Sequence, residues 1–442
     1  MLHLQLSAQD RENQYALSLQ EAISLGLENN HSSRRSQLDI EKALKQKWEI
    51  ISQGLPQLTG NVDYQNFLKQ PVTLIPAEIA GGEPGGFVPV RFGTKQSLNA
   101  VATWNQLIFD GSYIVGVQSV RTLLQLSRNA KIKTDIEVKK AIIGAYGNVL
   151  LAEESVRILK QNLETVKKNF SDTQKIFENG LAEEEDVERL EVTLLTLENN
   201  LNRSERMRNI SYEMLDLALG LPEEADVSLT DDLQELALQY YDLSLLTEDI
   251  PVEQTIDYRI AFNNTEYAKI QERLEKAKAL PSLTGFVNYG YQGYSESFSF
   301  FEKEQDYFAQ SVLGVSLNIP IFSSGMRSSR TAQRKIEYEQ AMLDLDQTES
   351  EVRLQIETAR SDYEFSLENL ETQKRSLALA ERIENKNQIK FFEGLASSFE
   401  LSEAQTQLYN AQQNYLQAML EVINAKADLE SLIDTNPDQN EN

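Results

Sequence analysis

Few side chains in this sequence are suited to covalent or metal chemistry. Cysteine is absent, and the only histidines are His3 and His31. Thiol nucleophiles, disulfides and thiolate-held zinc are therefore excluded. His31, beside Ser32 and Arg34, reads as an exposed polar residue, and His3 lies in an end segment. Carboxylates are plentiful, and adjacent ones such as Asp231-Asp232 are able to share a proton or a cation. No histidine-bearing metal motif, Gly-rich phosphate loop or nucleophile elbow accompanies them. Such a pair reads as part of a solvated face. No catalytic residue, metal ligand or cofactor site is assigned, and the chain is not read as an enzyme.

The charge balance narrows the partners. With 42 Lys+Arg against 68 Asp+Glu, the formal net charge is -26. Nucleic acid attracts basic surfaces, so it is excluded as a partner. Anionic headgroups would also be repelled, and any contact with lipid must come from apolar burial. No run approaches the ~20 apolar residues of a transmembrane helix. The strands of a closed β-barrel alternate and remain compatible with this sequence.

The elements that carry these residues are written twice. Pro56-Gln57-Leu58-Thr59-Gly60 returns as Pro281-Ser282-Leu283-Thr284-Gly285. Phe177 and Gly180-Leu181-Ala182 return as Phe391 and Gly394-Leu395-Ala396, all at one constant offset. The same offset pairs Leu190, Leu194, Leu201 and Leu215 with Ala404, Leu408, Tyr415 and Leu429. Trp104 to Asp110 matches Leu317 to Ser323. Each half reads helix, strand, loop, strand, long helix, Gly turn, long helix. A repeat this long implies pseudo-two-fold symmetry within one chain rather than a solenoid.

Proline is missing between Pro89 and Pro222 and between Pro320 and Pro437. Because proline breaks helix interiors, very long helices are permitted there. From Ser324 to about Asn387 the spacing predicts a helix of about 60 residues, or ~90 Å. Its stripe is Tyr338, Met342, Leu345, Val352, Ile356, Ala359, Tyr363 and Leu370, with Glu349 interrupting. The last helix alternates threes and fours through Leu401, Ala404, Leu408, Ala411, Tyr415, Ala418, Val422, Ala425, Leu429 and Leu432. Ala404, Ala411, Ala418 and Ala425 form a seam that allows a neighbouring helix close approach, and the period implies left-handed supercoiling. Heptads alone equally suit an antiparallel coiled-coil hairpin protein.

Four short segments differ. Leu58, Gly60, Val62 and Tyr64 alternate with Thr59, Asn61, Asp63 and Gln65; Leu313, Val315, Leu317 and Ile319 alternate with Val312, Gly314, Ser316 and Asn318. A period of two with one apolar and one polar or small face describes a strand between lipid and a watery lumen. Phe286, Tyr289, Tyr291 and Tyr294, followed by Phe298, Phe300, Phe301, Tyr307 and Phe308, suit an interfacial aromatic girdle. The joining loop from Phe67 to Lys95 holds Gly81-Gly82-Glu83-Pro84-Gly85-Gly86 and is expected to be irregular. The second loop, Gln292 to Asp306, is shorter, and both are placed outside the cell. Four strands leave open edges, which lipid does not tolerate, so several chains must close the barrel.

With these motifs laid out, the chain resembles the TolC family of outer-membrane efflux and secretion channels over residues 17–434. The residues that carry the resemblance are Gly180-Leu181-Ala182 leading to Asp186-Val187 and Gly394-Leu395-Ala396 leading to Glu400-Leu401. Leu408 to Tyr415 and Ile319-Pro320-Ile321-Phe322 with Gly325 complete the set. The resemblance implies a mostly α fold with a transmembrane β part. Three protomers would share a twelve-stranded β-barrel, four strands each, above a long α-helical barrel. The first repeat would span 17–219, with strands at 58–66 and 96–108 and helices meeting near 180. An equatorial segment would follow at 220–254. The second repeat would span 255–434, with strands at 283–292 and 307–319 and helices meeting near 394. Residues 1–16 read as a residual signal or lead-in segment, with Ser7-Ala8-Gln9 near a cleavage point. Residues 435–442 read as a disordered tail.

The resemblance further implies a homotrimer in the outer membrane of a Gram-negative bacterium, reaching into the periplasm. Its partners would be outer-membrane lipid, a periplasmic adaptor and an inner-membrane pump or ABC exporter. No cofactor is implied. The turns at Gly180 and Gly394 would form the periplasmic mouth, ringed by Glu400, Glu403 and Asp186 and favouring cations. Leu181 and Leu395 with the two glycines would receive the adaptor. In well-known members a basic side chain and a tyrosine latch the second tip. The corresponding residues are Ala396 and Phe391, so that gating mechanism does not transfer. The rival reading is a soluble or periplasmic coiled-coil adaptor without a pore.

Overall fold

The computed structural model describes residues 14–222, 225–247 and 249–433. The lead-in up to residue 13, His3 included, and the tail 435–442 lie outside the described residues.

In chain order, strand β1 (Gln14–Leu17) precedes helices α1 (Leu19–Asn29) and α2 (His31–Ser52). Strands β2 (Gln57–Asn66), β3 (Thr73–Pro76), β4 (Phe87–Val90) and β5 (Gln96–Asp110) follow, then the long helices α3 (Gly111–Glu178) and α4 (Glu184–Leu219). Strand β6 (Asp226–Leu229) and helix α5 (Leu233–Gln239) lie between the repeats. The second repeat runs α6 (Ile256–Ala277), β7 (Ser282–Ser295), β8 (Tyr307–Asn318), α7 (Met326–Phe392) and α8 (Ser398–Ile433). Both halves thus carry helix, two long strands and two long helices in one order. The chain divides into two compact units, one of residues up to 41, 125–264 and from 342, the other of 42–124 and 265–341.

The second unit is built on an antiparallel sheet in the order β2-β5-β7-β8. Its register assigns the faces. Leu58 lies opposite Trp104, Val62 opposite Ala100 and Tyr64 opposite Leu98. Trp104 lies opposite Val287 and Ala102 opposite Tyr289, and Val287 in turn opposite Leu313. These residues share one apolar and aromatic face, since residues two apart along a strand point the same way. The other face carries Thr59, Asn61, Asp63, Ser97, Asn99, Thr103, Asn288, Gln292, Gln310 and Ser316. On it the Asn61 amide donates to Asp63 at 2.6 Å, and Gln310 donates to Asn99 across β7 at 3.2 Å. The Phe286 ring is also on this face and lies over Gly314, where an added Cβ would come within 2.4 Å of it.

The long loop corrects the expectation of irregular chain. Thr73 pairs with Val90 and Pro76 with Phe87 in a hairpin of β3 and β4, joined through a 3-10 turn at Ala77–Ala80. Ala77 N–H donates to the Gly86 carbonyl at 2.8 Å, and the Glu78 carboxylate accepts from Gly85 N–H at 2.9 Å. The glycines form the hairpin's end, while the β-branched and aromatic residues flanking them form its strands. The shorter loop is also ordered. Its Phe298 and Phe300 pack edge-on against Tyr64 of β2, at 5.7 and 5.9 Å.

The first unit holds the main core, where Ile142, Tyr146, Val149, Leu215, Leu219, Val422 and Ile423 are buried together. Strand β1 pairs in parallel with β6, Leu17 opposite Leu229. Residues 14–16 therefore belong to a strand, a correction to reading 1–16 as lead-in. The strand is not visible locally, because its partner β6 comes only after the whole first repeat. The Tyr146 hydroxyl lies 2.9 Å from the Leu17 carbonyl and 2.8 Å from the Asp231 carboxylate, which also accepts from Leu19 N–H at 2.7 Å. Asp231 is thus a structural acceptor. Along α8, Leu401, Ala404, Ala411, Ala418, Val422 and Leu429 are buried, whereas Ala425 is only half-buried. Ala425 borders an open groove with Lys140 and Asp428, which pair at 2.7 Å. On α7 the stripe is buried at Val352, Ile356, Tyr363 and Leu370, but Met342 is exposed. A heptad stripe marks a face without saying which chain covers it.

Candidate functional site

The two hairpin tips are built to one plan. The turn after α3 holds Gly180 and the turn after α7 holds Gly394, with φ of 76° and 71°. Side chains with a Cβ disfavour that region, which explains glycine at both turns. Leu181 N–H donates to the Ile176 carbonyl at 3.0 Å, and Leu395 N–H to the Lys390 carbonyl at 2.7 Å. Both turns therefore close with the same type of backbone bond. Leu181 and Leu395 are left 80% and 72% exposed, so each tip presents one bare leucine.

The acids past each turn belong to helix caps. The Glu400 carboxylate accepts from Ser397 N–H at 2.9 Å, and Ser397 Oγ accepts from Glu400 N–H at 3.3 Å. At the first tip the Asp186 carboxylate accepts from Glu183 N–H at 3.4 Å. Both acids sit where the third residue of a helix reaches back to its cap, a position that the helix dipole also favours for a negative charge. Glu403 is exposed one turn further on. Glu184 and Glu185 join Asp186 in the first turn of α4. The tips are thus acidic for a structural reason, and their charge remains exposed for a second use.

The structure brings α4 and α8 together just past the turns. The Arg189 guanidinium pairs with Glu185 and lies 5.4 Å from the centre of the Phe399 ring on α8. Thr193 Oγ1 and Ser402 Oγ are 2.9 Å apart. Arg189, Phe399, Thr193 and Ser402 were missed from sequence. A signal was present, since the offset that carries Gly180 onto Gly394 also pairs Arg189 with Glu403, a tip position where the halves carry opposite charge. At the other second-tip positions singled out, Phe391 packs edge-on against Phe392 at 5.4 Å and Ala396 is half-buried. Neither residue supplies an ionic or hydroxyl-mediated latch.

Behind the tips lies a groove of about 440 Å³ lined by residues including Asn162, Thr193, Glu384, Gln405 and Tyr409. Burial pushes the Glu384 carboxyl above its ordinary range. Among the described residues no group of three or more acids and histidines is arranged to hold a metal ion. No described helix is long and apolar enough to cross a membrane.

This combination of tips and sheet has relatives. Residues 264–435 match the family described as outer membrane efflux protein. Over these residues the chain is similar to that family. It is 21% identical over 344 residues to outer membrane protein TolC of Vibrio cholerae serotype O1, covering 77% of this chain and 78% of the relative. Its fold matches CusC, a transmembrane channel protein by its description, with a TM-score of 0.75 and 16% identity. That match covers 95% of this chain and 93% of CusC. It also matches the CmeC outer membrane channel of Campylobacter jejuni, with a TM-score of 0.73, 16% identity and coverage of 94% and 85%. The mostly helical fold with its four-stranded sheet matches the fold of these channels.

Proposed function

We propose that three copies of this chain close a twelve-stranded barrel through the outer membrane and continue as a helical tunnel in the periplasm. The channel is the exit duct of a tripartite efflux or type I secretion system. It takes substrate from an inner-membrane pump or ABC exporter through a periplasmic adaptor and releases it outside. Energy comes from the pump. The channel supplies a water-filled passage.

One observation carries the reading. The four-stranded sheet has an apolar face, a polar face and two open edges, β2 and β8. Open edges are not stable in hydrocarbon, so other copies must complete the wall. The tips serve the periplasmic end. Their exposed leucines, Leu181 and Leu395, dock the adaptor, and Glu400, Glu403 and Asp186 give the mouth its cation preference.

Fractionation tests the reading. The protein is expected in outer membranes, extracted only by detergent, as a trimer that survives mild heating in dodecyl sulfate. Recovery as a soluble periplasmic species without detergent would replace the channel with the adaptor reading.

A further inference from the structure

We propose that the groove behind the tips binds a small organic cation, an ammonium group joined to an apolar body, seated against Glu384 and Gln405. The site needs only the fold of one chain.

The groove has the size and lining of a ligand site. Its volume is about 440 Å³, within the range of ~300–1,000 Å³ usual for small-molecule pockets. All four long helices contribute, with Val166 from α3, Leu197 from α4, Glu384 from α7 and Tyr409 from α8. Val166, Leu197 and Tyr409 also pack in a small apolar cluster around the buried Leu159, so this wall is backed by other side chains.

The lining selects the charge of the ligand. Glu384 is the one charged side chain on the groove, and no described lysine or arginine forms an ion pair with it. Burial disfavours its charge and raises its pKa, as expected of an anion that has lost water without gaining a counterion. Gln405 lies close enough to oppose part of that effect, yet neither its Nε2 nor its Oε1 completes a hydrogen bond, and both atoms are buried. Buried amides are nearly always paired, so this one points to a group that the chain does not supply.

An ammonium ion answers both residues. It gives Glu384 a counterion and offers Gln405 Oε1 a donor. Val166 and Leu197 suit the apolar body, and the Tyr409 ring adds attraction for a cation. An anion would meet an uncompensated carboxylate, and a neutral molecule would leave Glu384 without a counterion. Thr193 and Ser402, which meet at 2.9 Å, also line the groove, so an occupant would brace the contact between α4 and α8.

Because the chain has no cysteine, T406C places a single thiol on the exposed rim of the groove. Its rate of modification by neutral methyl methanethiosulfonate at pH 7, followed by mass spectrometry on the purified full chain, reads occupancy. The probes are 4-phenylbutylamine, charged there because alkylamines resemble lysine with a pKa of about 10.4, and the isosteric 4-phenyl-1-butanol. The amine is expected to halve the rate at a concentration at least tenfold, roughly, below that of the alcohol, as for one charge-assisted contact. In E384Q/T406C that advantage is expected to vanish, and this comparison cancels the share of each probe held in detergent. S32C, on α2 and outside the groove, is expected to react at the same rate with or without either probe. Absent or equal protection by the two probes would overturn the site. So would an amine advantage that survives in E384Q/T406C, which places the cation elsewhere, or a T406C that never reacts, which means that another chain fills the groove. Each of these outcomes leaves the channel reading standing.

Discussion

Asp186 and Glu400, one repeat apart, hold the same place in two helices: the Asp186 carboxylate accepts a hydrogen bond from Glu183 N–H, and the Glu400 carboxylate accepts one from Ser397 N–H. Charge and cap are therefore separable at the two tips. Glutamine also completes such a cap, so E400Q is expected to keep the α8 end ordered. E400A is expected to lose about 0.3–1.5 kcal/mol locally, seen as faster amide exchange at Ser397 and Glu400.

The charge itself is tested by E400Q/E403Q in planar bilayers. The cation-over-anion permeability ratio is expected to fall towards unity with conductance retained. An unchanged ratio would remove these residues from the proposed ring.

At the tips, L181D and L395D are expected to abolish export while leaving the trimer and its membrane insertion intact. Both side chains are exposed, so little packing is lost by replacing them. Loss of the trimer in either variant would show that these leucines serve assembly instead of docking.

Glu384 sits in the groove behind the tips, and burial raises its pKa. The folded chain then binds this proton more tightly than the unfolded chain does. That contribution is complete below the unfolded value of about 4.3 and is lost as pH rises through the raised folded value. At neutral pH the charged carboxylate is a cost, and E384Q is expected to protect the surrounding amides. The gain should vanish in acid, where wild type is protonated too. Equal protection of both proteins at neutral pH would show that the groove solvates the charge.

The Tyr363 hydroxyl accepts from Asp242 N–H at 2.8 Å and donates to the Tyr240 carbonyl at 2.6 Å. Y363F leaves both backbone groups without this partner, a loss of about 1–3 kcal/mol. Proteolysis between residues 240 and 247 is expected to accelerate. Unchanged cleavage would mean that this segment is held by other contacts.

Much of this architecture was legible because it is periodic and duplicated. The absence of proline from 90 to 221 permitted α3 and α4, and the alternation at Leu58 to Gln65 gave β2 its two faces. Interactions remote in sequence were not legible. Strand β1 needs β6 to exist, and Arg189 needs the Phe399 ring. The hairpin of β3 and β4 was hidden by the glycines at its end. At the candidate site the acids were visible as composition. Their capping role became visible only with the backbone positions of Glu183 and Ser397.

Single-channel recording from the purified, detergent-extracted protein in a planar bilayer shows whether it is a conducting pore. Discrete, long-lived steps that favour cations are expected, carried by the trimer. A trimer that inserts into the bilayer yet passes no current, even after E400Q/E403Q relieves repulsion at the mouth, would contradict the channel reading.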